Sequence, residues 1–144
     1  MESQIQNREL ISKDYLIRRT KKFAHDCVNL ALKFREDRLG NHLKSQLIRC
    51  ATSVASNYRA ANLAHSKAAF TAKLSIVIEE ADESAFWLEF AKEQNVIKSE
   101  ETDKLIKEGY ELTSIFISSR KSIQSSIPIT DQHPSSIKII NNKS

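Results

Sequence analysis

Glycine and proline are nearly missing from this chain of 144 residues. Gly40, Gly109, Pro128 and Pro134 are all there are. A β-rich fold needs many turns with special dihedrals, so this scarcity argues for helices joined by few connections. Long apolar runs are missing too. None approaches the roughly 20 residues that a membrane-spanning helix needs, so no membrane role is expected. The opening residues MESQIQNREL are polar and include acids, unlike a secretory leader. Cysteine is limited to Cys27 and Cys50, which form neither a C-x-x-C pair nor a zinc spacing. A reduced, cytoplasmic protein is the expectation.

The residues that would build a catalytic centre are also lacking. Helical bundles can hold paired metals through inward Glu-x-x-His motifs. Lys22, Leu39, Asn62 and Thr130 stand three places before the four histidines, so no such motif exists. The acids Glu79, Glu80, Asp82 and Glu83 cluster on one segment only, and no metal or other cofactor is expected. No Gly-rich phosphate loop is present, and no Ser-His-Asp set can be assigned. The chain is therefore expected not to be an enzyme.

What the chain does have is helical period. Apolar or small residues recur in steps of four and three in four segments: Leu16 to Phe34, Leu43 to Ala64, Phe70 to Ala91 and Leu105 to Ile123. That spacing marks a helix face packed along another helix. The punctuation agrees. Ser12, Ser66 and Ser99 can cap the first, third and fourth helices. A break at Gly40 with a cap at Asn41 is expected to open the second. Short connections make neighbours antiparallel. The expected fold is all-α, an up-down-up-down antiparallel four-helix bundle, with helices at 13–37, 41–64, 67–94 and 100–124. Residues 1–124 are read as the bundle and 125–144, polar and holding both prolines, as a flexible tail. Phe23, Cys27, Leu47, Cys50, Val54, Leu74, Val77, Leu88, Leu112 and Phe116 are expected to be buried together. Gly109, in mid-helix on its own seam, implies a close helix approach.

Charge is split unevenly. Residues 1–75 hold 14 Lys/Arg against 6 Asp/Glu, and residues 76–144 hold 8 against 12. Two readings stand: a basic face for a polyanion, or two halves that attract each other. On the first helix, Arg18, Lys22, His25, Asn29 and Lys33 fall within about 80° of one another, opposite the apolar seam, and Arg19 flanks them. Arg18, Arg19, Lys22, His25 and Lys33 are the candidate nucleic-acid contacts. A solvated face opposite a core is the bland alternative. No aromatics interleave them, so contacts would go to phosphates rather than stacked bases.

The third helix is apolar on more than one side, since Phe86, Trp87 and Phe90 cannot all share the Leu88–Ala91 seam. A helix apolar nearly all round is buried, which points to a partner subunit or, alternatively, to a core wider than the seam. Counting along the second hairpin sets Arg49 near Asp82 and leaves Arg59 without an acid. Arg59, Glu80, Glu83 and Trp87 are therefore the candidate oligomer contacts, with Arg59 of one copy meeting Glu80 or Glu83 of the next. Cys27 and Cys50 face each other across the first hairpin, as inert core thiols or, on a sharper reading, a redox pair.

Ser45, Gln46, Leu47, Arg49, Ser53 and Asn57 match a pattern S-x-Q-L-x-R-(small)-x-S-(I/V)-x-(A/S)-N. Arg59 and Ala61 follow, then Ser66, Lys67, Phe70, Lys73, Leu74 and Ile76, then Glu79, Glu80, Ala81, Glu83, Trp87, Leu88 and Glu89. This stretch resembles the bacterial four-helix bundle protein family, also called the ribosomal RNA intervening-sequence protein family. A related branch comprises pentameric accessory proteins of retroelements. The resemblance implies a bundle, a homo-oligomer with five copies as the favoured count, and an RNA or DNA partner. Many relatives carry Glu-Gly where this chain has Ala60 and Ala61, so any role of that glutamate is absent here. The expected function is a non-enzymatic, homo-oligomeric scaffold that binds nucleic acid non-specifically through basic helix faces. The alternative is a protein–protein interaction module that binds a partner protein and no nucleic acid.

Overall fold

The computed structural model describes residues 12–126, which form four helices and no strand. α1 spans Lys13–Ala31, α2 Arg38–Ala61, α3 Lys67–Glu93 and α4 Glu100–Ser126. Each helix packs on the next, and α4 returns to α1 along a looser seam, closing a four-helix bundle. α4 runs two residues past the expected boundary at 124. The rest of the expected tail, 127–144, lies outside the described residues, as do residues 1–11.

The apolar steps of four and three explain the core. All ten residues expected there are at most 1% exposed. Burying one Leu-sized side chain contributes about 1.5–3 kcal/mol, so the seams are the main source of stability. Tyr58 joins the core in place of Asn57, because a straight helix drifts about 20° per heptad against a strict seven-residue repeat. Gly109 lies where α3 and α4 come close together. A Cβ there would stand 3.3 Å from the Ala85 methyl and 3.6 Å from the Ala81 carbonyl oxygen.

The caps at Ser12 and Ser66 form as expected. Ser12 Oγ accepts from the Tyr15 amide at 3.2 Å, and Ser66 Oγ accepts from the Ala69 amide at 3.0 Å. Ser99 Oγ accepts from the Glu101 amide at 3.2 Å. The start of α2 differs from the expectation. Asp37, not Asn41, is the N-cap, and its Oδ1 accepts from the Gly40 amide at 2.7 Å. Gly40 lies inside the first turn of α2 with negative φ. It breaks nothing. A Cβ there would fall 1.7 Å from the Arg35 carbonyl oxygen, so the glycine makes room for the incoming chain. α1 correspondingly stops at Ala31 rather than 37, and Phe34 turns inward from the connection, 2% exposed.

The two connections at this end of the bundle are tied together. The Arg35 amide donates to the Val96 carbonyl at 3.1 Å, and Arg35 Nη1 to the Asn95 carbonyl at 3.3 Å. α3 ends in a Schellman motif. The Val96 amide reaches the Ala91 carbonyl at 2.9 Å and the Asn95 amide reaches that of Lys92 at 3.0 Å. Asn95 takes the left-handed conformation (φ 55°) that the motif requires, and asparagine tolerates it better than other side chains with a Cβ.

Candidate functional site

The outward face of α1 follows directly from its seam. With Leu16, Phe23, Cys27 and Leu30 turned inward, a step of about 100° per residue puts Arg18, Lys22, His25 and Asn29 outside, and all four are exposed. Lys33 continues the row just past the helix end and is also exposed. Lys22 Nζ bonds Asp26 Oδ2 at 2.5 Å, one turn on. That hydrogen bond raises the Lys22 pKa. Asp26 thus stands at the edge of this row.

Arg19 does something else. It leans across to α4, where its Nε donates to both carboxylate oxygens of Glu108 at 3.1 Å and its Nη2 reaches Glu111 at 2.9 Å. Its side chain is only 14% exposed. The hydrogen bond to Glu108 raises its pKa against the opposing effect of burial. Arg19 therefore orients α1 on α4 rather than facing outward with its neighbours. Lys104 and Lys107 of α4 are exposed beside this seam. They went unnoticed because they sit on a different helix, where no period links them to the α1 row.

Between α2 and α3 the structure assembles a polar and aromatic network from the family-like motif. Arg49 of α2 pairs with Glu80 at 3.3 Å and with Glu83, both on α3, while Gln46 Oε1 lies 3.4 Å from its guanidinium. Glu83 Oε1 also accepts from Trp87 Nε1 at 3.2 Å. His42 of α2 meets the Trp87 ring edge-on at 5.8 Å. Burial pushes the Glu80 carboxyl up, with Arg49 pulling it down.

This corrects the expected partner of Arg49. Counting residues found the right height along the hairpin, but rotation about α3 selects Glu80 and Glu83, not Asp82. It also engages Glu80, Glu83 and Trp87 within one chain. Arg59 is exposed and forms no salt bridge among the described residues.

Cys27 and Cys50 are free and fully buried. Burial pushes both thiols up, Cys50 to about 11 and Cys27 further. Ser84 Oγ donates to Cys50 Sγ at 3.2 Å. Thiols held protonated and out of solvent are poor nucleophiles. Among the described residues no group of His, Cys, Asp and Glu is placed to hold a metal ion, and no helix is long and apolar enough to cross a membrane.

Comparison with known proteins places this architecture. The family model of the 23S rRNA-intervening sequence protein matches residues 15–118. Among solved structures, a crystal structure from Bacteroides thetaiotaomicron is similar. It is described as a protein with unknown function from the S23 ribosomal protein family. It is 28% identical, covers 76% of this chain and 97% of its own, and superposes with a TM-score of 0.69. No curated protein matches. With the matched span running from the first turn of α1 into the second half of α4, the chain belongs to the 23S rRNA-intervening sequence protein family.

Proposed function

We propose that the chain is a non-enzymatic, cytoplasmic helical scaffold that assembles with copies of itself and holds RNA or DNA through the outward face of α1. The observation that carries this reading is the exposed row Arg18, Lys22, His25 and Lys33, with no aromatic among them. Such a row holds phosphates, which position a strand without reading its bases. Arg19 takes no part, since it lies 14% exposed between Glu108 and Glu111, whereas Lys22, paired with Asp26, stays 76% exposed and open to a phosphate. The family's description, which names a sequence intervening in 23S rRNA, agrees with a nucleic-acid partner. One copy would bind weakly, with dissociation constants of order 10⁻⁴–10⁻⁶ M at physiological salt. A ring of copies repeats the row and raises avidity by roughly 10²–10⁴-fold where one strand reaches several of them. Five copies is the count favoured by the resemblance to the retroelement accessory proteins.

The test is a triple reversal, Arg18→Glu with Lys22→Glu and Lys33→Glu. All three side chains are exposed, so the helical circular dichroism should be unchanged while binding to single-stranded RNA and to DNA is lost. Undiminished binding by the folded variant would refute the α1 face. A second reading, a protein-interaction module, is favoured by Phe86, half exposed on α3. It leads if the wild type binds neither RNA nor DNA at low salt.

A further inference from the structure

The outer faces of α2 and α3 are opposites. α2 contains no acidic residue at all. Its outward side runs Arg38, Ser45, Arg49, Thr52, Ser56, Arg59 and, just past the helix, Leu63, all exposed. In its middle Arg49 is held to the side by Glu80 and Glu83 of the same chain, and the small hydroxyl residues beside it bond within the helix. Ser45 Oγ donates to the Asn41 carbonyl, Thr52 Oγ1 to that of Ile48 and Ser56 Oγ to that of Ser53. A partner could cover this strip and leave no hydroxyl unsatisfied. α3 turns outward Glu79, Asp82, Phe86 and Glu93, all exposed, and none of the three acids forms a salt bridge among the described residues. Phe86 stands 50% exposed yet is braced by Trp87 and Phe90, at ring separations of 4.9 and 5.9 Å. It is a pre-set aromatic knob on an acidic face.

We infer that the outer face of α3 seats against the outer face of α2 of a second copy of this chain, with Phe86 on the Ser45–Thr52 strip and arginines at both ends of the contact. This rests on the self-assembly part of the proposed function and names its surfaces. Height along the bundle supports it. The Ser84–Cys50 hydrogen bond sets residues 50 and 84 level. At 1.5 Å per residue, Phe86 then lies about 3 Å below that level, between Ser45 at about 7.5 Å below and Thr52 at about 3 Å above. Glu79 and Arg59 differ in height by about 6 Å, and Glu93 and Arg38 by about 4.5 Å. An extended arginine side chain spans either gap.

A second copy turned about an axis parallel to the bundle, with no shift along it, thus brings knob to strip and acids to arginines. α2 and α3 meet antiparallel there, as they do within one chain. A contact between two different faces, made by rotation without translation, closes into a ring when the turn divides a full circle, rather than growing into a filament.

Light scattering on the full chain at micromolar concentration tests this. The wild type should show a mass several times 16.4 kDa. Phe86→Glu should fall to the mass of one chain with its circular dichroism intact. Arg59→Glu should weaken assembly by roughly tenfold or more, and adding Glu79→Arg to it should restore the wild-type mass. If the wild type is a monomer, self-assembly itself fails and this inference with it. If the wild type is oligomeric and Phe86→Glu and Arg59→Glu leave the mass unchanged, the pairing of α3 with α2 is overturned while self-assembly stands.

Discussion

Two seams of this bundle are each bridged by one arginine, and they use it differently. Where α1 meets α4 the backbones approach closely at fewer places, and Arg19 lies 14% exposed between Glu108 and Glu111. Where α2 meets α3 the backbones approach closely at many places, and Arg49 is 48% exposed over Glu80 and Glu83. A closely packed seam is held by its apolar side chains, so its arginine remains at the rim. A looser seam leaves room between the backbones for a long side chain, and its arginine enters the contact. That matters for function, because the rotation of α1 decides which of its basic side chains face outward.

The largest expected effect removes apolar packing from the closely packed seam. Leu74 of α3 is fully buried, so Leu74→Ala should cost roughly 2–5 kcal/mol in urea unfolding. A loss below about 1 kcal/mol, well under the usual cost of such truncations, would mean that the polar network, not the core, holds α3. The arginines come next. Arg49→Ala should cost about 0.2–1 kcal/mol, as exposed pairs do. Arg19→Ala should cost more, about 1–2 kcal/mol, because it strands two carboxylates beside a partly buried position. Equal losses would erase the contrast between the seams.

The smallest effect is a titration. Tyr110 of α4 donates its hydroxyl to Glu89 of α3, and this contact pushes its pKa from 10.0 to about 12. A raised folded pKa means the contact contributes fully below pH 10 and is lost as pH rises through about 12. In Glu89→Gln the phenol should ionise earlier in an absorbance titration. An unchanged titration would show that Glu89 is not the cause.

The fold was legible because its determinants are local and periodic. The steps of Leu16, Phe23, Cys27 and Leu30 name a face without any knowledge of the partner helix, and Ser12 and Ser66 cap through amides three residues on. Gly40 was misread for a reason outside its own neighbourhood. The sequence shows a helix breaker, but the glycine answers the Arg35 carbonyl, whose place depends on a tie to Val96 from the far connection.

The candidate site divides the same way. That Arg18, Lys22 and His25 point outward follows from the period of α1 alone. That Arg19 is engaged depends on which acids α4 turns toward it, and that Arg49 takes Glu80 and Glu83 depends on the rotation of α3. Pairing across helices is set by packing angles that no single segment encodes.

The most direct test of the central claim, that the α1 row holds nucleic-acid phosphates, is the salt dependence of RNA binding followed by fluorescence anisotropy. Three phosphate contacts on one copy predict a slope of about −2 in log affinity against log salt for a single strand. Copies engaged together should steepen it, so affinity should fall sharply between about 50 and 200 mM salt. The Arg18, Lys22 and Lys33 reversal should abolish that binding. Tight binding that is flat across this range, or no binding at low salt, would contradict the account.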